Sequence, residues 1–339
     1  MYIASIGAYP MSQHALIKRL LILVTLLSLV ACGSSQTNQT VTADKPTKTY
    51  ADLVIGYSQI GAESRWRTAN TLSIQESAQD LGVDLRFADA QQEQINQINA
   101  IRSFITQKVD LIGVSPIVAD GWDEVFAEAK AAGIPIIVVD RTANVPDELI
   151  TAFIGSDFVL EGERACEEMA QLLNQKGTII ELEGTVGSAP ARDRKTGFHN
   201  CLKKYPEMQV LVSKSGDFTR AQGKTVLQGL IKQYGTDFDA IYAHNDDMAL
   251  GAIELLKELG IKPGVEVKIV SIDAVEDAFK AMIAGDLNVT VECNPLLGPQ
   301  FFETALKIVN GEPFERWVKS NEGIFRQATA AQDLPKRRY

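Results

Sequence analysis

The chain has 339 residues and a mass of 37.0 kDa, which is too long for one compact core and fits two lobes of ordinary domain size. Its 45% hydrophobic and 22% charged residues are typical of a globular protein. The formal net charge of -10 and the pI near 5.0 argue against a nucleic-acid partner, because phosphate binding needs a basic surface.

The N-terminus has the pattern of an export signal. Residues 20–31 form a short apolar run that follows Lys18 and Arg19. This run is too short to span a bilayer and has the flanks of a secretory signal. We therefore expect a signal peptide at residues 1–31, with Met11 as an alternative start.

The apolar run ends in Leu29-Val30-Ala31-Cys32-Gly33, which resembles a bacterial lipobox. Cleavage before Cys32 would leave its thiol for acylation, and an ordinary signal with an incidental cysteine is the alternative. The next residues, 32–50, are mostly polar and cannot bury apolar surface, so they predict a tether. We expect a lipid-anchored domain outside the cytoplasmic membrane, in the periplasm or at the cell surface.

The remaining cysteines are Cys166, Cys201 and Cys293. An exported protein meets an oxidising compartment, so Cys166 and Cys201, on neighbouring predicted helices, are candidates for a disulfide. Two buried thiols are the alternative. With three histidines and no CxxC motif, the sequence lacks the ligands of a zinc site, and we expect neither metal nor cofactor.

From residue 51 onward, short apolar runs that predict strands alternate with longer segments of helical periodicity. The predicted strands are residues 53–58, 83–88, 111–115, 133–139, 150–155, 177–182, 208–213, 240–243, 267–272 and 288–292. The predicted helices are residues 65–81, 91–107, 122–132, 160–175, 194–204, 220–234, 247–259, 277–284 and 297–310. This alternation predicts right-handed crossovers and an α/β fold with two doubly wound parallel sheets, which fits better than one sheet of ten strands.

Polar side chains follow six of the predicted strands. The clearest case is Asp140-Arg141, where the buried run 133–139 ends, although a surface ion pair is the alternative for such a dipeptide alone. Ligands bind at the carboxyl ends of parallel strands, so these side chains are expected to converge on a cleft between the lobes. The candidates are Gln59, Glu63, Trp66, Arg67, Asp140, Arg141, Arg192, Arg194, Phe218, Asn245 and Asp273.

These residue types suit a sugar. Carboxylates, amides and guanidinium groups bind hydroxyls, while Trp66 and Phe218 offer flat apolar faces to the C–H side of a sugar ring. The sequence has no Gly-x-Ser-x-Gly, Walker A or dinucleotide-binding motif, and His244 lacks a nucleophile partner. A glycosidase pair of Asp140 and Asp273 is the remaining catalytic alternative. We expect a binding protein and not an enzyme.

The motifs around Glu63 to Arg67 and in residues 184–187, 215–220 and 242–248 resemble those of a known family. That family is the periplasmic sugar-binding proteins of ABC transporters, in the ribose- and galactose-binding group, and the likeness is greatest to its galactofuranose-binding branch. The resemblance implies a Rossmann-like fold of two lobes joined by a three-segment hinge. The implied N-terminal lobe is residues 51–154 plus 293–321, and the C-terminal lobe is residues 155–292 plus 322–339, with crossings near Ile154, Glu292 and Asn321.

The resemblance also implies a monosaccharide ligand, delivery to an ABC permease with its ATPase, and a monomer. It places ligand contacts on the candidates above, with Arg192 as the alternative to Arg194, and adds Glu292 or Asn294 near a crossing between the lobes. A sugar sensor of the same fold, signalling to a membrane receptor or histidine kinase, is the main alternative. A transcription repressor is disfavoured by the export signal, and a sugar-modifying enzyme by the missing catalytic motifs.

Overall fold

A computed structural model describes residues 47–339. The predicted signal peptide, Cys32 and most of the predicted tether lie outside the described residues. No helix between residues 47 and 339 is long and apolar enough to cross a membrane.

Two sheets of six strands each make up the framework of residues 47–339. The first sheet has the order β11-β5-β4-β3-β1-β2, with every pair parallel. Its strands are β1 (Val54–Gln59), β2 (Asp84–Asp89), β3 (Leu111–Val114), β4 (Ile136–Val139), β5 (Ala152–Gly155) and β11 (Trp317–Lys319).

The second sheet has the order β12-β10-β9-β8-β6-β7. Its pairs are parallel except at the edge, where β12 runs antiparallel to β10. Its strands are β6 (Lys176–Glu183), β7 (Glu207–Ser215), β8 (Ala240–Ala243), β9 (Lys268–Asp273), β10 (Val289–Glu292) and β12 (Ile324–Arg326). The predicted α/β class with two doubly wound sheets is therefore confirmed.

Helices connect the strands as right-handed crossovers require. They are α1 (Arg65–Leu81), α2 (Gln94–Gln107), α3 (Asp123–Ala131), α4 (Phe158–Leu172), α5 (Ala189–Leu202), α6 (Arg220–Tyr234), α7 (Asp246–Glu258), α8 (Glu276–Ala284), α9 (Gly298–Asn310) and α10 (Ala330–Asp333). All four residues of β4 are buried, as expected for a parallel strand covered by helices on both faces.

The chain passes between the two sheets three times. It leaves the first sheet after β5, returns to it between β10 and α9, and leaves it again between β11 and β12. Each passage is a short segment without regular secondary structure, as a hinge between two lobes requires. We retain the lobe boundaries given by the sequence as a proposal.

The start of α1 determines where two of the candidate residues lie. The hydroxyl of Ser64 caps the helix by accepting a hydrogen bond from the backbone N–H of Arg67. The helix ends at Gly82, whose φ of 74° is the left-handed conformation that glycine adopts without strain. Trp66 and Arg67 therefore lie in the first turn, at the carboxyl edge of the first sheet.

Three elements of the structure differ from the prediction, each for a physical reason. Helix α5 begins at Ala189 and not at residue 194, because Pro190 occupies its first turn, where a missing N–H costs nothing. Arg192 and Arg194 are therefore helical. Strands β11 and β12 were not predicted, since each has only three residues and lies at a sheet edge without a buried apolar pattern.

A disulfide joins Cys166 on α4 to Cys201 on α5, which resolves the alternative that the sequence left open. The two cysteines are 35 residues apart, and both are buried between the helices. Cys293 is the free cysteine of the described part of the chain.

Replacing both Cys166 and Cys201 by Ala should lower the free energy of unfolding by about 3–4 kcal/mol, because a loop of this length is no longer closed in the unfolded chain. Urea unfolding of the oxidised protein and of the double variant measures the difference. Wild-type protein treated with a reductant serves as the control and should unfold like the variant. Equal stabilities of all three samples would contradict the prediction.

Candidate functional site

A small cavity lies between the two sheets, at the carboxyl ends of their strands. Its wall includes most of the residues that the sequence pattern selected. The lining residues are Glu63, Ser64, Trp66, Arg67, Asp140, Arg141, Pro190, Arg194, Phe218, Asn245, Asp273 and Cys293.

Two arginines and two carboxylates alternate in the wall that the first sheet supplies. Arg67 donates from Nη2 to Asp140 and from Nε to Glu63 Oε1, the latter over 3.3 Å. Arg141 donates from Nη2 to the same Glu63 oxygen over 2.8 Å, and from Nη1 to the carbonyl of Ile117 over 3.0 Å. All four charged side chains are buried, so each depends on the others for the polar partners that water would otherwise provide.

Two atoms of this network have no partner. Glu63 Oε2 and Arg141 Nε are both buried, and neither forms a hydrogen bond. A buried polar atom without a partner costs about 1–3 kcal/mol, and a ligand that bonds to these two atoms would remove that cost. One is an acceptor and the other a donor, which matches a ligand that carries hydroxyl groups.

Ion pairs in this wall shift the pKa values of its charged side chains. Burial alone would raise the pKa of Glu63, but the positive charges of Arg141 and Arg67 outweigh burial and lower it. Burial lowers the pKa of Arg141, and the neighbouring Glu63 opposes that shift. Glu63 is therefore an ionised acceptor at neutral pH.

The second sheet contributes Arg194, which is held at two of its three nitrogens. Nε donates to Glu161 Oε2 over 2.7 Å, and Nη1 donates to the carbonyl of His244 over 2.6 Å. The third nitrogen, Nη2, lies 3.6 Å from Asp273 Oδ1, beyond hydrogen-bond distance. Burial and neighbouring charges raise the pKa of Asp273 well above its usual value, although Arg194 opposes that shift.

Two aromatic rings complete the cavity. The guanidinium carbon of Arg67 lies 4.7 Å from the ring centre of Trp66, and Trp66 Nε1 donates to the carbonyl of Cys293. The ring of Phe218 lies between two arginines, 5.3 Å from Arg141 and 5.9 Å from Arg194. Because Arg141 follows β4 of the first sheet and Arg194 lies on α5, which packs with the second sheet, Phe218 joins the two walls through cation–π contacts.

The backbone is held in unusual conformations at three of these positions. Asp140, Phe218 and Asp273 have φ angles of 65°, 60° and 129°, a region that residues other than glycine rarely adopt. Such strain is typical of binding sites, where the surrounding structure holds a side chain in place.

Asn245 lines the cavity, but its amide is already engaged. Its Oδ1 accepts a hydrogen bond from the backbone N–H of Met248, which caps α7, and its Nδ2 donates to the carbonyl of Phe218. Asn245 thus holds the backbone of Phe218 in place and caps the start of α7.

Three of the candidates selected from the sequence do not line the cavity. Gln59 is buried behind it and accepts a hydrogen bond from Arg67 Nη1 over 3.4 Å. Arg192 pairs with its neighbour Asp193 and donates to Asn144 on an exposed face, since the side chains at positions 192 and 194 of a helix point in different directions.

Glu292 is the third residue outside the cavity. Its carboxylate accepts hydrogen bonds from the backbone N–H of Gly323 and from Arg337, at the crossings between the sheets. Asn294, its alternative, is likewise outside the cavity wall and donates its backbone N–H to Glu322. The residue between them, Cys293, lines the cavity instead, because side chains alternate in direction along an extended chain.

Sequence reasoning missed Ser64, Pro190 and Cys293 as lining residues. The place of Ser64 in the cavity wall could have been inferred from its role as the N-cap of α1. That of Pro190 could have been inferred only with the start of α5 placed at Ala189. The alternation of the extended segment after β10 could have identified Cys293, but only with the register of that segment known.

One group of side chains in residues 47–339 has the composition of a metal site. Oxygen atoms of Glu161 and Glu322 and the thiol of Cys293 lie within 4.8 Å of one another where the chain crosses between the sheets. Glu322 already accepts hydrogen bonds from Ser156 and from the backbone of Asn294, and Glu161 is paired with an arginine. We therefore assign no metal to this group, which we call the hinge cluster.

Two lobes of α/β structure with a buried polar cavity between them define a two-lobed binding protein. The chain belongs to the periplasmic binding protein family, whose domain model matches residues 55–313. The resemblance seen in the sequence is confirmed.

Three similar proteins indicate which members of this family the chain resembles. The galactofuranose-binding protein YtfQ of Escherichia coli K12 is 41% identical over 293 residues, which is 85% of this chain and 92% of the relative. The binding protein of the arabinose ABC transporter from Shewanella sp. ANA-3, solved with α- and β-L-arabinofuranose, is 44% identical, with a TM-score of 0.82 over 84% of this chain and 95% of the other. A Mycobacterium smegmatis protein solved with β-D-fucofuranose is 46% identical, with the same TM-score and coverage.

Gly184 allows the ring of Phe218 to lie where it does. A Cβ atom at Gly184 would be 1.9 Å from Phe218 Cζ, so Gly184→Ala must displace the ring from between the arginines. Ligand affinity should fall by about tenfold or more, since the ring forms part of the cavity wall. Gly229→Ala on α6 is the control, because nothing lies within 4 Å of its new methyl group. Isothermal titration of both variants with the ligand that wild type binds best tests this prediction. Equal affinities of the two variants for that ligand would contradict it.

Glu322 should make stability depend on pH. Burial, and secondarily the charge of Glu161, raise its pKa from 4.5 to about 8. The folded protein therefore holds a proton that the unfolded chain releases above its usual pKa. This contribution is complete below about pH 4.5 and is lost as pH rises toward 8, at up to about 1.4 kcal/mol per pH unit.

Glu322→Gln should remove that dependence, because the amide resembles the protonated acid. Urea unfolding between pH 5 and pH 9 gives the difference in stability between the variant and wild type, which should grow with pH in favour of the variant. A difference that stays constant across the range would refute this assignment.

Proposed function

We propose that this protein binds a monosaccharide in the furanose form between its lobes and delivers it to an ABC permease. The observation that carries the proposal is the pair of unpartnered buried atoms in the cavity wall, Glu63 Oε2 and Arg141 Nε. The names of the three similar proteins, which bind galactofuranose, arabinofuranose or fucofuranose, support the ring form.

The cavity offers a sugar both kinds of contact that it needs. The ionised carboxylate of Glu63 accepts hydrogen bonds from hydroxyl groups, and the free Nη2 of Arg194 donates to them. Trp66 and Phe218 present apolar faces to the ring carbons. Walls from both lobes would enclose a bound sugar and exclude water from it. Each hydroxyl left without a partner would therefore weaken binding by about 1–3 kcal/mol, which gives selectivity between sugars.

The structure has the arrangement expected of the closed, ligand-binding state. The backbone N–H of Arg65 donates to Asp247 Oδ2 over 2.8 Å, and that of Ala119 donates to the carbonyl of Gly187 over 2.9 Å, in both cases from one lobe to the other. A sugar that bridges the lobes would stabilise this state over an open one, and opening at the hinge would release it.

Transport is favoured over sensing because a similar protein is named as a component of an ABC transporter. The relatives are binding proteins, and we propose that this protein is likewise not an enzyme and acts as a monomer. Its attachment to the membrane through a lipid on Cys32 is proposed from the sequence alone.

Arg194→Ala should weaken sugar binding at least about tenfold, because it removes the free donor from the cavity. Lys203→Ala is the control, since it removes a cationic side chain from the exposed C-terminal end of the same helix, where it donates to Asn200. Isothermal titration with a panel of pentoses and hexoses, in furanose and pyranose forms, measures both effects. The proposal fails if wild-type protein binds none of the panel, or if the two variants bind alike.

A further inference from the structure

Glu161 is a buried carboxylate outside the cavity that contacts a residue inside it. It lies on α4, just after the first crossing between the sheets, and is 1% exposed. Its Oε2 accepts the hydrogen bond from Arg194 Nε at 2.7 Å. It does not line the cavity, so its effect on a ligand must pass through Arg194.

We propose that Glu161 is a positioning residue of the sugar site, which holds Arg194 in its ligand-binding orientation and links that orientation to the hinge cluster. This inference rests on the proposed function for its effect on sugar affinity. Its structural part, the orientation of Arg194, can be tested without a sugar.

The planar guanidinium of Arg194 explains how Glu161 acts. The bonds from Nε to Glu161 and from Nη1 to the carbonyl of His244 fix the plane of the group. Nη2 then has one position, beside Asp273 and free of a hydrogen bond. The rings of Phe158 and Phe218, 5.2 Å and 5.9 Å from the guanidinium carbon, limit movement out of that plane. Without the Glu161 carboxylate the side chain keeps only one directional restraint, the carbonyl of His244.

The Glu161 carboxylate also connects this contact to the crossings between the sheets. Oε1 is buried and has no hydrogen-bond partner, and the Glu161 carboxylate lies within 4.8 Å of the Cys293 thiol and of a Glu322 oxygen. Cys293 belongs to the second crossing and Glu322 to the third, while Ser156 of the first crossing donates to Glu322. The Glu161 carboxylate thus lies close to groups of the second and third crossings and also contacts a residue of the sugar site.

Arg194 is the positive charge that lies directly beside Glu161 in the hinge cluster. Burial raises the pKa of Glu322 to about 8, and burial also raises that of the Cys293 thiol. Burial raises the pKa of Glu161 too, but the charge of Arg194 opposes the shift. Arg164 donates to the backbone carbonyl of Glu322. Among the groups of this cluster, Glu161 is the carboxylate whose side chain pairs directly with a guanidinium group.

Glu168 on the same helix provides a matched control. It is also buried, at 4% exposed, and also pairs with an arginine, Arg326. That pair lies away from the sugar cavity. Glu168→Gln therefore removes the same charge from the same helix without touching Arg194.

The first experiment is a double-mutant cycle on sugar affinity, measured by isothermal titration with the sugar that wild type binds best. Glu161→Gln should raise Kd about tenfold or more, while Glu168→Gln should leave it unchanged. Added to Arg194→Ala, the Glu161→Gln change should have almost no further effect on Kd. An equal loss in both backgrounds, or wild-type affinity in Glu161→Gln, would overturn the inference. Glu161→Asp, which retains the charge, should bind more tightly than Glu161→Gln and replaces it if that variant does not fold.

The second experiment needs no sugar. In the nitrogen–proton NMR spectrum, the Nε–H signal of Arg194, identified by its loss in Arg194→Ala, should be sharp in wild type and in Glu168→Gln. It should be broadened or absent in Glu161→Gln, because the proton is no longer held by a carboxylate. An unchanged signal would contradict the positioning role. A wild-type protein that binds no sugar would contradict the proposed function, and this signal would still decide the role of Glu161.

Discussion

The buried charge network of the first lobe determines much of this structure. Arg67 and Arg141 cannot leave water unless carboxylates neutralise them, and Glu63 and Asp140 do so. The network also explains why a polar cavity persists in a closed protein. The four groups satisfy one another except at Glu63 Oε2 and Arg141 Nε, and both residues line the cavity where a ligand can complete the set. Binding a polyol would remove a cost that the empty closed form bears.

The second lobe contributes a different arrangement of side chains to the cavity wall. Arg194 is held rigidly from behind, and Phe218 lies between it and Arg141, so the two walls touch through an aromatic face. The hinge cluster stands directly behind Arg194 and contains residues from the crossings that must bend when the lobes open. Ligand recognition and hinge geometry therefore share Glu161, a carboxylate that itself never reaches the ligand cavity.

Sequence reasoning reached the fold and most of the cavity wall for a physical reason. Apolar runs that end abruptly in charge identify both a buried strand and its carboxyl end, which is how Asp140 and Arg141 were selected. It could not decide where the answer depended on the direction of a side chain. Arg192 and Arg194 differ only in which face of α5 they occupy, and Cys293 differs from Glu292 by one step along an extended chain. Glu161 looks like any glutamate of an amphipathic helix until the packing of α4 against α5 is known.

A crystal structure of the protein with a bound furanose tests the central claim most directly. The claim predicts the sugar between the lobes, with its oxygens within hydrogen-bond distance, about 3.2 Å or less, of Glu63 Oε2, Arg141 Nε and Arg194 Nη2. It also predicts that the ring lies against Trp66 or Phe218. A sugar bound elsewhere, or bound in the cavity with Glu63 Oε2 and Arg141 Nε still unpartnered, would contradict the account.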